Sequence, residues 1–123
     1  MAKQVRVGEL EGAVMNVLWR TPEGMTAREV LTALPGPELA VTTVLTVLDR
    51  LQRKGMVERK REGRAHRYTA ARSREDFLSA LMSDALDSTD DRSAVLARFV
   101  GSMRPDDTDV LRHLLRKRRG SAG

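Results

Sequence analysis

The sequence predicts a mainly α-helical fold with one small β-hairpin in its middle. Three observations carry that prediction. Apolar residues recur at helical spacing in six separate stretches. The helical period stops after Gly55, where two short strand-like runs flank a glycine-containing turn. Aromatic residues are limited to Trp19, Tyr68, Phe77 and Phe99, so the core must be packed from Leu, Val, Ala and Met. With 123 residues and 41% hydrophobic content, the chain is too apolar for disorder and holds one domain or two very small ones.

The first helix is expected over Gly8 to Trp19, with Leu10, Ala13, Val14, Val17 and Leu18 on one face and Glu9 and Glu11 in the first turn, where the helix dipole favours acids. Thr21-Pro22-Glu23-Gly24 ends it. Thr26 and Glu29 have capping-box spacing, and Met25 with Val30 can form the hydrophobic staple that opens a second helix. Val30, Leu31 and Leu34 are its buried stripe, and Pro35-Gly36-Pro37 closes it. A third helix runs from about Val41 to Lys54, with Gly55 as its C-terminal cap. Its start, Leu39-Ala40-Val41, has no polar capping residue.

That third helix has two unlike faces. Val44, Val47, Leu48 and Leu51 form the apolar stripe, while Thr43, Thr46, Arg50 and Arg53 fall opposite, with Thr42 beside them. Solvated faces normally mix acids with bases and use better helix formers than threonine, so these threonines serve another purpose. Tight packing or capping is one such purpose; contact with a partner is another. Met56–Lys60 and Ala65–Ala70 then read as strands around Arg61-Glu62-Gly63-Arg64. Three helices followed by a basic hairpin spell a winged helix-turn-helix, assigned here to residues 1–72.

Residues 73–119 return to helix. Ser73 caps a helix bearing Phe77, Leu78, Leu81, Met82, Ala85 and Leu86; Asp87-Ser88-Thr89-Asp90-Asp91 breaks it; a second helix carries Val95, Leu96, Phe99, Val100 and Met103. A third starts near Pro105, with Asp106 and Asp107 in its first turn and Val110, Leu111, Leu114 and Leu115 on one face. Three short amphipathic helices bury little surface alone, so a second copy of the chain is expected to cover them. The dimer contact is expected at Phe77, Leu81, Leu96, Phe99, Val100, Leu111, Leu114 and Leu115. Residues 120–123 read as a disordered tail.

Charge is unevenly placed. Residues 50–74 hold ten Lys and Arg side chains against only Glu58 and Glu62, within a chain of net charge +5. Such a patch either stays solvated or meets an anion, and its place beside a Thr/Arg helix favours DNA. Thr42, Thr43 and Thr46 are suited to base edges, Arg50, Arg53 and Lys54 to phosphates, and Arg61, Arg64 and Arg67 on the wing to a flanking phosphate or minor groove. For the wing arginines plain solvation is the alternative.

No catalytic constellation is legible. His66 and His113 stand apart from any acid or nucleophile, and Asp90-Asp91 and Asp106-Asp107 read as helix-start chemistry. The absence of cysteine excludes disulfides, Cys-based metal sites and thiol catalysis, and no metal or other cofactor is expected. No apolar run approaches the roughly 18–20 residues of a membrane span, and the N-terminus lacks a signal pattern, so a soluble cytoplasmic protein is expected.

In order along the chain, Gly8-Glu-Leu-Glu with Trp19, Thr42-Thr-Val-Leu-Thr-Val-Leu-Asp-Arg-Leu, Lys54-Gly55 and Glu62-Gly-Arg-Ala-His-Arg-Tyr68 resemble the penicillinase-repressor family of bacterial transcription factors, the BlaI/MecI type, in its actinobacterial form. The resemblance spans nearly the whole chain. It implies a homodimer that binds a palindromic operator with TACA/TGTA-type halves and represses a β-lactam resistance or cell-envelope operon. Family base and backbone contacts match Thr42, Thr43 and Thr46, with phosphate contacts at Arg50 and near Arg64. It also implies relief of repression when a membrane receptor-protease cuts an Asn–Phe bond; the matching bond here is Arg98–Phe99, a departure from that preference, and Phe99 also reads as a core residue of its helix. The Cys-x-Cys motif of the copper-responsive branch is missing, which excludes copper sensing by that route. Two other readings stay open: a winged-helix adaptor that binds an acidic protein without specific DNA readout, and a regulator that senses a small ligand in its dimer region.

Overall fold

Each helix begins and ends where local chemistry places it. The computed structural model describes residues 8–35 and 39–121. The element order is α1 (Glu9–Trp19), β1 (Met25–Thr26), α2 (Ala27–Ala33), α3 (Val41–Arg53), β2 (Val57–Glu62), β3 (Ala65–Ala70), α4 (Arg74–Asp87), α5 (Arg92–Ser102) and α6 (Pro105–Ser121). At α2 both halves of the capping box form: the Glu29 amide donates to Thr26 Oγ1 at 3.2 Å, and the Thr26 amide donates to Glu29 Oε1 at 2.9 Å. Gly36 and Pro37, expected to close this helix, lie outside the described residues.

α3 starts at Val41 from Ala40, which makes no side-chain cap; amides of Thr43 and Val44 bond back to the Ala40 carbonyl instead. Its end is a Schellman motif. Gly55, at φ 78°, donates to Gln52 O, Met56 donates to Leu51 O, and the Leu51 and Met56 side chains meet in the core. The chain turns directly from that motif into β2.

β2 and β3 pair antiparallel from Val57↔Ala70 to Glu62↔Ala65, leaving Gly63-Arg64 as a two-residue turn. Gly63 has φ 63° and Arg64 does not share the positive sign, the arrangement of a type II′ hairpin turn. β2 extends two residues further toward the turn than the sequence suggested. A third strand was not foreseen: β1 pairs with β3 through Met25↔Tyr68 and Thr26↔Arg67, giving the sheet order β1-β3-β2. The resulting architecture is the expected one, mainly helical with a winged helix-turn-helix.

The core of this N-terminal unit packs Val14, Met15 and Leu18 of α1 with Val30 of α2 and Val44, Leu48 and Leu51 of α3, closed by Val57 and Tyr68 from the sheet. Phe77 joins it at 5% exposure, with its ring edge-on to Trp19 at 6.0 Å. Phe77 was expected in the dimer contact; it is a core residue of the single chain because α4 begins against α1. Leu81 likewise packs, partly buried, on this core. Accordingly the first compact unit reaches Leu81, not residue 72, and the second starts at Met82.

α4 is capped by Ser73, whose hydroxyl accepts from the Asp76 amide while its own amide donates to the Asp76 carboxylate. Asp91 caps α5 through the Ala94 amide at 3.0 Å. Pro105 occupies the first position of α6. α6 continues through Gly120 to Ser121, so the expected tail is helical there, and 122–123 lie outside the described residues. Among the described residues of the second unit none is buried, and Leu96, Phe99, Val100, Leu114 and Leu115 are all roughly half exposed.

Candidate nucleic-acid interface

Burying one stripe of α3 necessarily presents the other. With Val44, Val47, Leu48 and Leu51 facing the core, Thr42 and Thr46 are exposed, Thr43 is partly buried, and Arg50 and Arg53 project from the last turns. The Thr46 hydroxyl donates to the Thr42 carbonyl at 2.9 Å. Its proton is therefore committed, while its oxygen can still accept. Arg53 sits 3.1 Å from Asp49, one turn back, with both partners well exposed. Such a pair costs little to open.

Arg50 and Lys54 are held differently. Glu11 of α1 is 9% exposed and reaches both, with Oε1 3.6 Å from Arg50 Nη1 and Oε2 3.3 Å from Lys54 Nζ. A buried carboxylate demands compensation, and these two cations supply it. They in turn are fixed at the end of α3 with over half of the Arg50 side chain exposed. Glu11 was read only as a first-turn acid. Its spacing with Val14, Met15 and Leu18 places it on the buried stripe of α1, and that was the available signal.

On the wing, strand alternation sorts the arginines. Val57, Arg59 and Arg61 share a face with their partners Ala70, Tyr68 and His66, the face whose inner end is buried in the core. Arg61 is exposed there, with its Nε donating to Gly63 O at 3.3 Å, and Arg64 is exposed on the turn. Arg59 belongs with them. It is one of the ten basic side chains of residues 50–74 and was not singled out for contact; its alternation with buried Val57 identifies its side.

Arg67 does not join this group. It lies on the opposite face, and its guanidinium is engaged within the chain: Nε and Nη2 bond Glu62 at 2.8 and 3.0 Å, and Nη1 bonds Gly24 O at 2.9 Å and lies 3.7 Å from Glu29 Oε1. The hydrogen bonds from Arg67, then its charge, hold the Glu62 carboxyl below its ordinary range, and Glu62 raises Arg67 in return. Expected among the phosphate contacts, Arg67 instead ties the wing to the start of α2. A phosphate would have to compete with the Glu62 and Glu29 carboxylates for that charge.

Trp19 and Arg74 anchor the exit from the wing. Trp19 Nε1 donates to Arg72 O at 2.8 Å, and Arg74 lies 4.5 Å over the indole while donating to Asn16 Oδ1. Among the described residues no group of three His, Asp or Glu side chains converges as a metal site requires, and no helix is long and apolar enough to cross a membrane. His66 lies on β3 and His113 on α6. Arg98 and Phe99 are both exposed in the middle of α5.

A sequence model described as penicillinase repressor matches residues 7–117. The transcriptional regulator BlaI of Mycobacterium tuberculosis, in strains CDC 1551 / Oshkosh and H37Rv, is 44% identical over 119 residues, covering 94% of this chain and 86% of that protein. Among solved structures, MepR, a transcription regulator of the Staphylococcus aureus multidrug efflux pump MepA, superposes with a TM-score of 0.47 at 18% identity, over 92% of this chain and 78% of MepR. The PcaV transcriptional regulator of Streptomyces coelicolor superposes with a TM-score of 0.46 at 24% identity, over 93% and 75% of the two chains.

Proposed function

The chain belongs to the penicillinase repressor family, a family of transcriptional regulators and not of enzymes, and from that premise we propose that it is a homodimeric repressor that reads a palindromic TACA/TGTA-type operator. The observation that carries the reading is the outward face of α3, where Thr42 and Thr46 stand exposed ahead of Arg50 and Arg53. Small polar side chains at the N-terminal end of a helix suit base edges in a major groove, and arginines further along suit the phosphates flanking it. Thr43, partly buried, contributes at the edge of that face, and Lys54 supports the phosphate side. Arg61 and Arg64, with Arg59, supply the wing's contact. No cofactor enters this reading.

The second unit is assigned to dimerisation through Leu96, Phe99, Val100, Leu111, Leu114 and Leu115. The regulated genes belong to a β-lactam resistance or cell-envelope operon, and the protein acts in the cytoplasm on its own upstream DNA. Relief of repression by a membrane receptor-protease at Arg98–Phe99 is part of the same proposal. Both residues are exposed, and because a protease takes an extended chain, the cut requires α5 to unwind around Phe99.

Fluorescence anisotropy of the full chain on a TACA/TGTA palindrome and on a scrambled duplex, at two salt concentrations, tests the proposal. A preference of about a thousandfold or more for the palindrome, steeply weakened by salt, is the expected result. Equal, weak affinity for both duplexes overturns it and favours an adaptor that uses the basic face on an acidic protein.

A further inference from the structure

Among the described residues the exposed large hydrophobic side chains fall in two places: a series from Leu78 onward on α4–α6, and Leu45 alone on α3. Leu45 is 42% exposed, whereas its neighbours Val44 and Leu48 are fully buried. It stands one residue before Thr46, three after Thr42 and four before Asp49, so it borders the polar face on the N-terminal half of the helix. Leucine there adds nothing to the core stripe and has no hydrogen-bonding group for a phosphate. Among the described residues it lies outside the hydrophobic core and stays partly in water.

We propose that Leu45 is a specificity-determining residue that packs on the C5-methyl group of a thymine in the major groove, so that one position in each half-site is read as thymine rather than cytosine. This deepens the operator-binding reading above and rests on it. The thymine methyl is the apolar feature of the major-groove edge. Leu45 meets the groove beside the bases faced by Thr42 and Thr46, in the part of a recognition helix that reaches base edges. Desolvating both apolar surfaces at once gives the contact its energy, with no hydrogen bond to align.

The test starts from sites selected by the full-length protein out of a randomised duplex pool, which removes any assumption about the operator. Each thymine of the selected site is then replaced by deoxyuridine, which deletes the methyl group and leaves the hydrogen-bonding edge intact. The wild-type protein is expected to lose about fourfold in affinity at one position per half-site, the worth of one buried methyl group. Leu45→Ala is expected to be indifferent to uridine at that position while keeping any other uridine response, and Leu45→Met to retain the wild-type response. A wild-type protein indifferent to every uridine, or a Leu45→Ala protein with the full wild-type pattern, overturns the inference and leaves operator binding standing. A pool that enriches no sequence overturns operator binding itself, and the Leu45 assignment with it.

Discussion

Arg67 and Glu62 show how a single pair of side chains can be misjudged from sequence and then make a sharp prediction. In the sequence Arg67 is one of ten basic residues in a run, and nothing marks it as different. In the fold its guanidinium meets Glu62, Gly24 O and Glu29, groups drawn from three separate stretches of chain. The carboxyl of Glu62 is thereby held below its ordinary value of 4.5. A carboxylate depressed in the folded state adds stability that is present above the unfolded value and is lost as pH falls through the folded one. Glu62→Gln removes that contribution. Urea midpoints of the wild type and Glu62→Gln are therefore expected to differ at neutral pH, with the wild type higher, and to converge as pH drops below about 4.5. A gap that stays constant down to pH 3 assigns the stability of the wing root to packing alone.

At the scale of elements, α2 is the most exposed test of local chemistry, because it is only seven residues long and has one fully buried side chain, Val30. Its start depends on Thr26, whose hydroxyl satisfies the Glu29 amide, and Glu29 also approaches Arg67. Thr26→Ala is expected to lower stability by about 1 kcal/mol, and Thr26→Ser to restore most of it, read by chemical denaturation. A neutral Thr26→Ala protein shows that β1 pairing and the Arg67 contacts hold α2 without its cap. This helix also marks how far the sequence could be read. The Thr26–Glu29 box, the Gly55 cap, the hairpin and the caps at Ser73 and Asp91 rest on residues within a few positions of one another, and all were legible. β1 was not, since two residues carry no period and the strand exists only because β3 lies beside it. Phe77 was misplaced because its partner Trp19 is tens of residues away, and spacing along a helix cannot say which neighbour covers its apolar face. Arg67 was misplaced because the pairing that sets it beside Glu62 and near Gly24 and Glu29 is made by the sheet, which period alone does not show. On α3 the same limit fell differently. The Thr42–Thr46–Arg50 face followed from period alone, but Leu45, assigned to neither face, escaped notice because period does not say how far a residue beside the stripe is covered.

The whole molecule sets two units side by side in sequence with opposite balances of burial. The first closes a core around Val14, Met15, Leu18, Val30, Val44, Leu48 and Leu51. The second offers three helical stretches whose apolar side chains remain in contact with water. Its helices start at a capping Asp91 and at Pro105, so they are specified locally, yet nothing among the described residues buries Phe99 at 48% exposure or Leu114 at 53%. Helices of this length do not persist on caps alone, and a segment of about 40 residues with no buried side chain lacks the area to fold by itself. The second copy proposed above would resolve this, and it would make the stability of the second unit depend on concentration while the first unit stays largely independent of it. Placing Asp at Phe99 and at Leu114 together puts charges into the dimer contact without touching the first core. Sedimentation equilibrium is then expected to show a dimer for the wild type and a monomer for the doubly substituted protein. Near-ultraviolet circular dichroism of Trp19 should be retained, since the indole is held by Phe77, Arg72 and Arg74 within the first unit. Affinity for a palindrome should fall to that of an isolated half-site, because one recognition helix then reads one half at a time. If the doubly substituted protein stays dimeric, the contact between copies lies elsewhere than on α5 and α6, and the exposed face must be assigned to a different partner.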